Sequence, residues 1–547
     1  VISQAAPTSD FGIADRLAEQ ARRSPTTPAV ADARTPDVPS WTFAELDHRA
    51  DHVAAGLTAL GFSAGQRALV FVTPSMDFFA VIWGLFRAGV VPVLVDPAMG
   101  ARPVLRAIEE AEPQHLLGIP KAVWLSRLFP KRFRSVSSRI TTSKRALFDP
   151  TLEEVLRKGA SSPGARCGGD PDRAAAILFT SGSTGAPKGV VYTHRIFDAQ
   201  RAALGSALSI EQGESDLSAF PLFSLFSQAL GARAVVPDLD TTRPASVDPA
   251  RVHRDLERFG VTYAFGSPAF WRRVVEGSSE RIPLRRVLMA GAPAPVSLLE
   301  RLLDRMPDGA DVFTPYGATE SLPISMPSAR ALLLGPAERS QRGAGTWVGH
   351  PLPGVELRII PIEDCPIASW DETDVLGPGE VGEIVVRSEV TTQGYFRRPR
   401  DDAASKIDDA GRRWHRMGDV GYFDEAGLWF CGRKGHRVTM ADRTLFPVRG
   451  EAILAAHPAV QRAAIVGVGP RGTERPVAFI ELGSGRIPRG EKKRRLTAEL
   501  LELARSSEHT RDVGTILYHR GFPVDARHNA KIRRELLKDE AERRLRG

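Results

Sequence analysis

The feature that most constrains this chain is a recurrent grammar: a short apolar run, then a cluster of Gly, Ser, Pro or Thr, then a segment of helical length. It is clearest at residues 67–95. There 68–72 form a short apolar run, 76–88 are long enough for a helix, and 90–95 are β-branched. That is a βαβ unit, and it implies a parallel sheet with helices on its faces. The runs 174–179, 261–265, 286–289 and 311–313 repeat the pattern. In open α/β sheets ligands sit at the carboxyl ends of parallel strands, so these four loops are expected to converge on one site. The first 60 residues read as helices. Asp10 is placed to cap a segment with Phe11, Leu17 and Ala21 on one face, and Thr42-Phe43-Ala44-Glu45 is a capping box before another.

At 547 residues, 42% hydrophobic and 25% charged, the chain has the composition of a globular protein of more than one compact unit. That disfavours a fibrous, disordered or disulfide-rich scaffold. Cys167, Cys365 and Cys431 lie far apart, with no CxxC pair. No zinc signature or disulfide framework follows, and a reducing compartment is expected. The most apolar stretch, 78–95, is broken by Arg87 and Pro92, and no signal-peptide pattern opens the sequence. The expected location is cytoplasmic.

The net charge of +8 is unevenly placed: from Arg433 onward there are 25 basic and 14 acidic residues. A basic tail suits nucleic acid, a membrane surface or a phosphate-bearing substrate. No interleaved aromatic-and-basic recognition module accompanies it, so no nucleic-acid partner is expected. Residues 119–145 hold eight basic residues and no acidic one, with Trp124, Leu125, Leu128 and Phe129 interleaved. Their two readings are a solvated insertion and an amphipathic lid or docking surface for a membrane or partner.

The strongest chemical signal is Ile177-Leu178-Phe179-Thr180-Ser181-Gly182-Ser183-Thr184-Gly185-Ala186-Pro187-Lys188-Gly189. A buried-type strand runs into a loop of glycines and hydroxyls, followed by one of only eleven lysines. Glycines let backbone N–H groups approach an anion, hydroxyls donate further hydrogen bonds, and lysine adds a point charge. The GxxxxGK[ST] spacing is absent, so this is not a Walker A loop.

This loop resembles the signature of the adenylate-forming superfamily, and the resemblance covers nearly the whole chain. It implies an α/β fold: a large N-terminal domain of layered, parallel-rich sheets and helices (1–432), and a small mobile α+β C-terminal subdomain (433–547). It also implies ATP and Mg²⁺ as cofactors, with Thr180, Ser181, Gly182, Ser183, Thr184, Gly185 and Lys188 on the nucleotide phosphates. Tyr316-Gly317-Ala318-Thr319-Glu320 is similar to the second core motif. In that motif the aromatic stacks on adenine, the threonine touches the α-phosphate and the glutamate helps hold Mg²⁺. Gly418-Asp419 resembles the ribose-binding aspartate, Gly432-Arg433 the start of the hinge, and Lys531 in Asn529-Ala530-Lys531-Ile532 the catalytic lysine. Transfer of an α-phosphoryl centre to a carboxylate rests on positioning and electrostatics.

Departures from the family narrow the function. The hinge position is Gly435, the usual loop glycine aligns with Asp442, and an acidic-Ile-acidic end has become Arg449-Gly450-Glu451. These changes put a standard coenzyme A half-reaction in doubt, and coenzyme A is expected not to be required. Val93-Leu94-Val95-Asp96-Pro97, Phe220-Pro221-Leu222-Phe223-Ser224-Leu225-Phe226 and Phe522-Pro523-Val524-Asp525 resemble the olefin-biosynthesis β-lactone synthetase branch. That branch adenylates a long-chain 2-alkyl-3-hydroxy acid and closes a β-lactone by attack of the β-hydroxyl. The runner-up is a long-chain fatty acyl-CoA or acyl-AMP ligase. Phe223, Phe226, Phe270, Trp271 and the Gly291-Ala292-Pro293 turn are candidates for the acyl pocket. His194 is the candidate nearest in sequence for a base, with a structural or gating role preferred. The resemblance also implies assembly with other olefin-biosynthesis enzymes, and 119–145 is a candidate for peripheral membrane contact.

Overall fold

In a computed structural model of the chain the described residues are 12–35, 40–145, 148–162, 170–181, 186–240, 243, 246–524 and 532–546, the side chains of Ser181 and Arg546 aside. Asp10, Phe11, Cys167, Gly182, Ser183, Thr184, Gly185 and Lys531 lie outside them.

Two parallel-rich sheets form the body. One has six strands in the order Ser138–Thr141, His115–Gly118, Arg67–Phe71, Val91–Val95, Ala174–Ser181 and Pro187–Thr193. All neighbours in it are parallel except the final hairpin. Helix Met76–Ala88 supplies the crossover read from the sequence. Ser75 Oγ accepts from Phe78 N at its start, and Gly89 at φ 66° ends it in a conformation a side chain would resist. The helix is buried nearly all round, Trp83 completely, because it sits between the sheet and helix Phe43–Ala59. The Thr42–Glu45 capping box forms as read.

The second sheet orders Asp311–Phe313, Arg286–Met289, Tyr263–Gly266, Ser215–Ser218, Arg233–Val236, Pro28–Asp32 and Ser40–Thr42. It corrects two expectations. Residues 28–32 are a strand, not part of a helical region. Its Ala29, Val30 and Ala31 are buried against a parallel partner some 200 residues away, and nothing local signals such a pairing. The four strand-end loops also divide: three follow adjacent strands of this sheet, while the loop after Ser181 belongs to the other. The N-terminal helix is Ile13–Arg23, capped at Gly12 by the Asp15 carboxylate.

Residues 119–145 are not a solvated insertion. They supply helix Pro120–Leu128 and the edge strand Ser138–Thr141, and they bury Val123, Phe133, Val136 and Ile140. An antiparallel sheet follows, ordered Thr346–Gly349, Gly427–Arg433, Arg412–Asp424, Gly382–Arg387 and Glu356–Ile360. Beyond it Val460–Val468, Arg475–Leu482 and Thr515–His519 form a small mixed sheet with helices Pro447–Ala455, Gly490–Arg505 and Arg534–Arg546. The apolar clusters there draw only on residues 438 and beyond. No helix among the described residues is long and apolar enough to cross a membrane.

Candidate active site

The chemistry-bearing residues gather around two β-hairpins. Ala174–Ser181 and Pro187–Thr193 pair in the register Thr180↔Lys188, so the strand leaving the Gly/Ser loop returns its lysine directly opposite Thr180. Gly189 permits this pairing, since a Cβ there would lie 2.9 Å from both Ile177 and Phe179 side-chain atoms. Lys188 Nζ stands 2.5 Å from Asp401 Oδ1 and 5.2 Å from the centre of the Tyr395 ring.

The second hairpin, Tyr316–Ala318 with Ser321–Ser325, puts Thr319 and Glu320 on its two-residue turn. Gly317 is needed there because a Cβ would meet Ser321 O at 2.5 Å. The turn is held from three directions. Tyr192 OH donates to Thr319 O, Tyr395 OH donates to Glu320 Oε1 at 2.7 Å, and Thr392 donates through N and Oγ1 to Glu320 O. Beneath it Lys406 is buried, with Nζ donating to Thr392 O. Burial lowers its pKa to about 8, against the opposing pull of Glu320 and Asp402. Burial, reinforced by Glu320, holds the Tyr395 phenol far above its ordinary range, so it stays a donor.

Across the turn Tyr316 OH donates to Asp419 Oδ2 at 2.8 Å, and Arg433 Nη1 lies 2.9 Å from Asp419 Oδ1 and donates to Met417 O. Burial, then Asp419, raises the Tyr316 phenol well above its usual range. Ala318 packs beside Tyr316 against the Ile324 cluster. The structure therefore links Lys188, Thr319 and Glu320 through Tyr395 and the hairpin, and Tyr316, Asp419 and Arg433 through hydrogen bonds and an ion pair. Past Arg433 the chain makes a single turn, Lys434–His436. Lys434 Nζ bonds Glu383, which is fully buried and also held by Arg416 at 2.6 Å. Gly435 is exposed, and an added Cβ would meet nothing within 4 Å.

The aromatic candidates separate. Phe223 stacks on Phe265 at 5.0 Å and meets Phe226 edge-on at 6.2 Å, within a cluster that includes Tyr263 and Leu288. Gly291, at φ 97°, Ala292 and Pro293 follow the strand carrying Leu288. Phe270 and Trp271, by contrast, are completely buried among Val252, Leu256, Val274 and Leu299. They are helix-packing residues, in an apolar cluster separate from that of Phe223 and Phe226.

His194 is likewise corrected as a candidate base. It follows Thr193, the end of the hairpin paired with Ala174, whereas the Gly/Ser loop is at the other end, about 20 Å away at ~3.3 Å per residue. Its ring packs on Phe86 at 5.5 Å, and burial, then Arg173, lowers its pKa to about 4. Sequence proximity misled because the loop leads into a strand that carries His194 away. Tyr395, Tyr192, Lys406 and Glu383 were missed: each acts through partners 14 to 127 residues distant, and no period or motif marks them.

The altered C-terminal segment has packing reasons. A Cβ on Gly450 would lie 2.8 Å from Ile465 and Thr510 side chains, Arg449 Nε donates to Gly343 O, and Glu451 binds Arg534 and Ile465 N.

Residues 17–396 match the AMP-binding enzyme family. The chain is 44% identical over 506 residues to the olefin beta-lactone synthetase of Xanthomonas campestris pv. campestris, covering 91% of this chain and 90% of that protein. It is 44% identical over 504 residues to the olefin beta-lactone synthetase of Stenotrophomonas maltophilia, covering 90% of each. Among solved structures, an amide bond synthetase from Marinactinospora thermotolerans superposes with a TM-score of 0.77 at 25% identity, over 97% of this chain and 100% of that one. The chain thus belongs to the AMP-binding, adenylate-forming enzyme family, with olefin beta-lactone synthetases among its relatives.

Proposed function

We propose that the protein is an ATP-dependent β-lactone synthetase acting on long-chain 2-alkyl-3-hydroxy acids. The observation that carries this reading is the 44% identity, across nine-tenths of the chain, to olefin beta-lactone synthetases. The substrate carboxylate attacks the α-phosphorus of ATP and pyrophosphate departs. The β-hydroxyl oxygen then attacks the same acyl carbon, its proton is released and AMP leaves. The second step is intramolecular, so it needs only a folded substrate conformer and no thiol acceptor.

In this reading the Thr180-to-Gly185 loop and Lys188 hold the phosphates, Tyr316 the adenine and Asp419 with Arg433 the ribose. Phe223, Phe226, Gly291, Ala292 and Pro293 shape the acyl pocket. Glu320 suits Mg²⁺: its carboxylate is an oxygen donor on the hairpin turn, held through Oε1 by Tyr395. A single carboxylate completed by substrate phosphates is how this ion is commonly held. Bound there, it would neutralise phosphate charge, while Tyr395 fixes the Glu320 carboxylate that orients it. Residues 433–547 act as a cap rotating about Gly435, whose open surroundings tolerate a change of backbone angle, and this cap brings Lys531 to the α-phosphate.

The test is incubation with ATP, Mg²⁺ and a β-hydroxy acid without coenzyme A, with product analysis by NMR. Lactone ring protons and stoichiometric AMP are expected. AMP formation only on adding coenzyme A, with a thioester and no lactone, would assign the chain to the acyl-CoA ligases instead.

A further inference from the structure

The edge of the six-stranded sheet carries a surface that the adenylating site does not use. Helix Pro120–Leu128 buries Val123 and Ser126 and turns Trp124 and Leu128, one helical turn apart, to solvent. They are 59% and 52% exposed, and Phe129 and Phe148 are 45% and 84% exposed. Arg127 Nη2 donates to both carboxylate oxygens of Asp149, which ties Phe148 beside the same helix. Of the nine large hydrophobic residues exposed among those described, four are here and five are scattered over residues 322–545. The cluster is therefore a feature of this edge.

Its surround is cationic. Arg127, Arg132 and Arg134 pair with Asp149, Glu109 and Glu112. Lys121, Lys131, Lys144 and Arg145 are exposed and have no ion pair among the described residues. Large apolar side chains set in a ring of Lys and Arg are complementary to a headgroup layer: the rings enter the acyl boundary and the cations meet lipid phosphates. Protein interface cores are instead depleted in lysine, yet three of the chain's eleven lysines ring this patch. The segments beginning at 119 and 142 leave the same end of the sheet as the Gly/Ser loop, three and four strands away, or about 14 Å and about 19 Å.

We propose that residues 119–145 together with Phe148 are a docking surface for an anionic lipid bilayer, with Trp124, Leu128, Phe129 and Phe148 inserted and Lys121, Lys131, Lys144 and Arg145 on the lipid phosphates. The proposal deepens the reading of a long-chain substrate, which would reside in such a bilayer. Binding is measured without substrate or ATP, so its failure leaves the lactone assay untouched.

The full chain is sedimented with phosphatidylcholine vesicles with and without phosphatidylglycerol, at low and high salt. Binding to the anionic vesicles is expected to exceed that to neutral ones by roughly tenfold or more, and to weaken with salt. Trp124→Ser with Phe148→Ser should lower partitioning at least roughly tenfold. Lys121→Glu with Lys131→Glu should abolish the preference for phosphatidylglycerol. Both double variants should keep wild-type ATP–pyrophosphate exchange on a water-soluble β-hydroxy acid, which also shows that they fold. The proposal is overturned if the wild type stays in the supernatant, or if the variants sediment as well as it does. It is equally overturned if the patch substitutions merely dissolve a self-associated form, which would make the surface a protein interface.

Discussion

Tyr395→Phe removes one oxygen from the protein and tests the role given to Glu320. Tyr395 is 9% exposed, its OH donates to Glu320 Oε1 at 2.7 Å, and its backbone N donates to Asp402. The substitution keeps the ring, its contact with Lys188 and that backbone bond, so little packing is lost. What disappears is a hydrogen bond to a carboxylate, worth about 1.5–3 kcal/mol. If Glu320 acts on the magnesium–phosphate group, that loss falls on adenylation and amounts to about 10- to 150-fold in kcat/KM. Because Glu320 is only partly buried, water can replace the lost donor in the resting protein, and stability should fall by no more than about 1 kcal/mol. The assay is ATP–pyrophosphate exchange over a magnesium titration, paired with thermal unfolding. A lower rate and a magnesium requirement displaced to higher concentration are expected. Exchange within twofold of wild type at every magnesium concentration would refute the role of this pair. A collapse of the unfolding temperature would show the tyrosine to be structural instead.

Three further substitutions probe other parts of the molecule. Glu383→Gln leaves the buried Arg416 and the half-buried Lys434 without their shared carboxylate, which should cost about 3–5 kcal/mol in urea unfolding; an unshifted midpoint would contradict it. Asp216 is fully buried, and burial raises its pKa to about 7 against the donors Ser224 and Ser227. Its folded pKa lies above the unfolded one, so the folded state binds the proton more tightly, and stability declines from about pH 4 to about pH 7. Asp216→Asn should therefore gain about 3 kcal/mol relative to wild type between pH 5 and pH 8, and an equal difference at both values would sink the assignment. Lys531→Ala is expected to remove most pyrophosphate exchange while leaving the circular dichroism spectrum unchanged; wild-type exchange would remove Lys531 from the mechanism.

Part of the basic C-terminal segment, the strongest charge feature of the sequence, is taken up in ion pairs, several of them between residues far apart in the chain. Arg437 and Arg471 share Asp364, Arg462 holds Glu481, Arg534 holds Glu451 and Lys538 holds Glu474. Charge counts could not anticipate this, because they carry no information about which acid faces which base.

Helix 76–88, the Thr42 cap and the motif order were legible in the sequence because each depends on neighbours within one helical turn or one loop. Strand 28–32 was not legible, since the parallel partner that covers it lies at 233–236 and its nearby antiparallel partner, Ser40–Thr42, is only three residues long. The candidate site divides in the same way. Thr180 and Lys188 stand out because a glycine- and hydroxyl-rich loop directly after a buried strand has few structural uses, whereas Thr319, Glu320 and Asp419 were marked by the family resemblance of their motifs. Tyr395 and Lys406 were invisible, and Phe270 and Trp271 were misplaced, because their roles depend on which way a strand or helix carries them.

The sequence by itself determined the class of chemistry: a phosphate-binding loop, an acidic turn and a family resemblance that spans the chain. Only the tertiary structure decided which side chains meet. Tyr395 reaches Glu320 across 75 residues and Tyr316 reaches Asp419 across 103. Such contacts follow from sheet order and register, which are settled when distant strands bury their apolar faces together, and no local stretch of sequence contains that outcome.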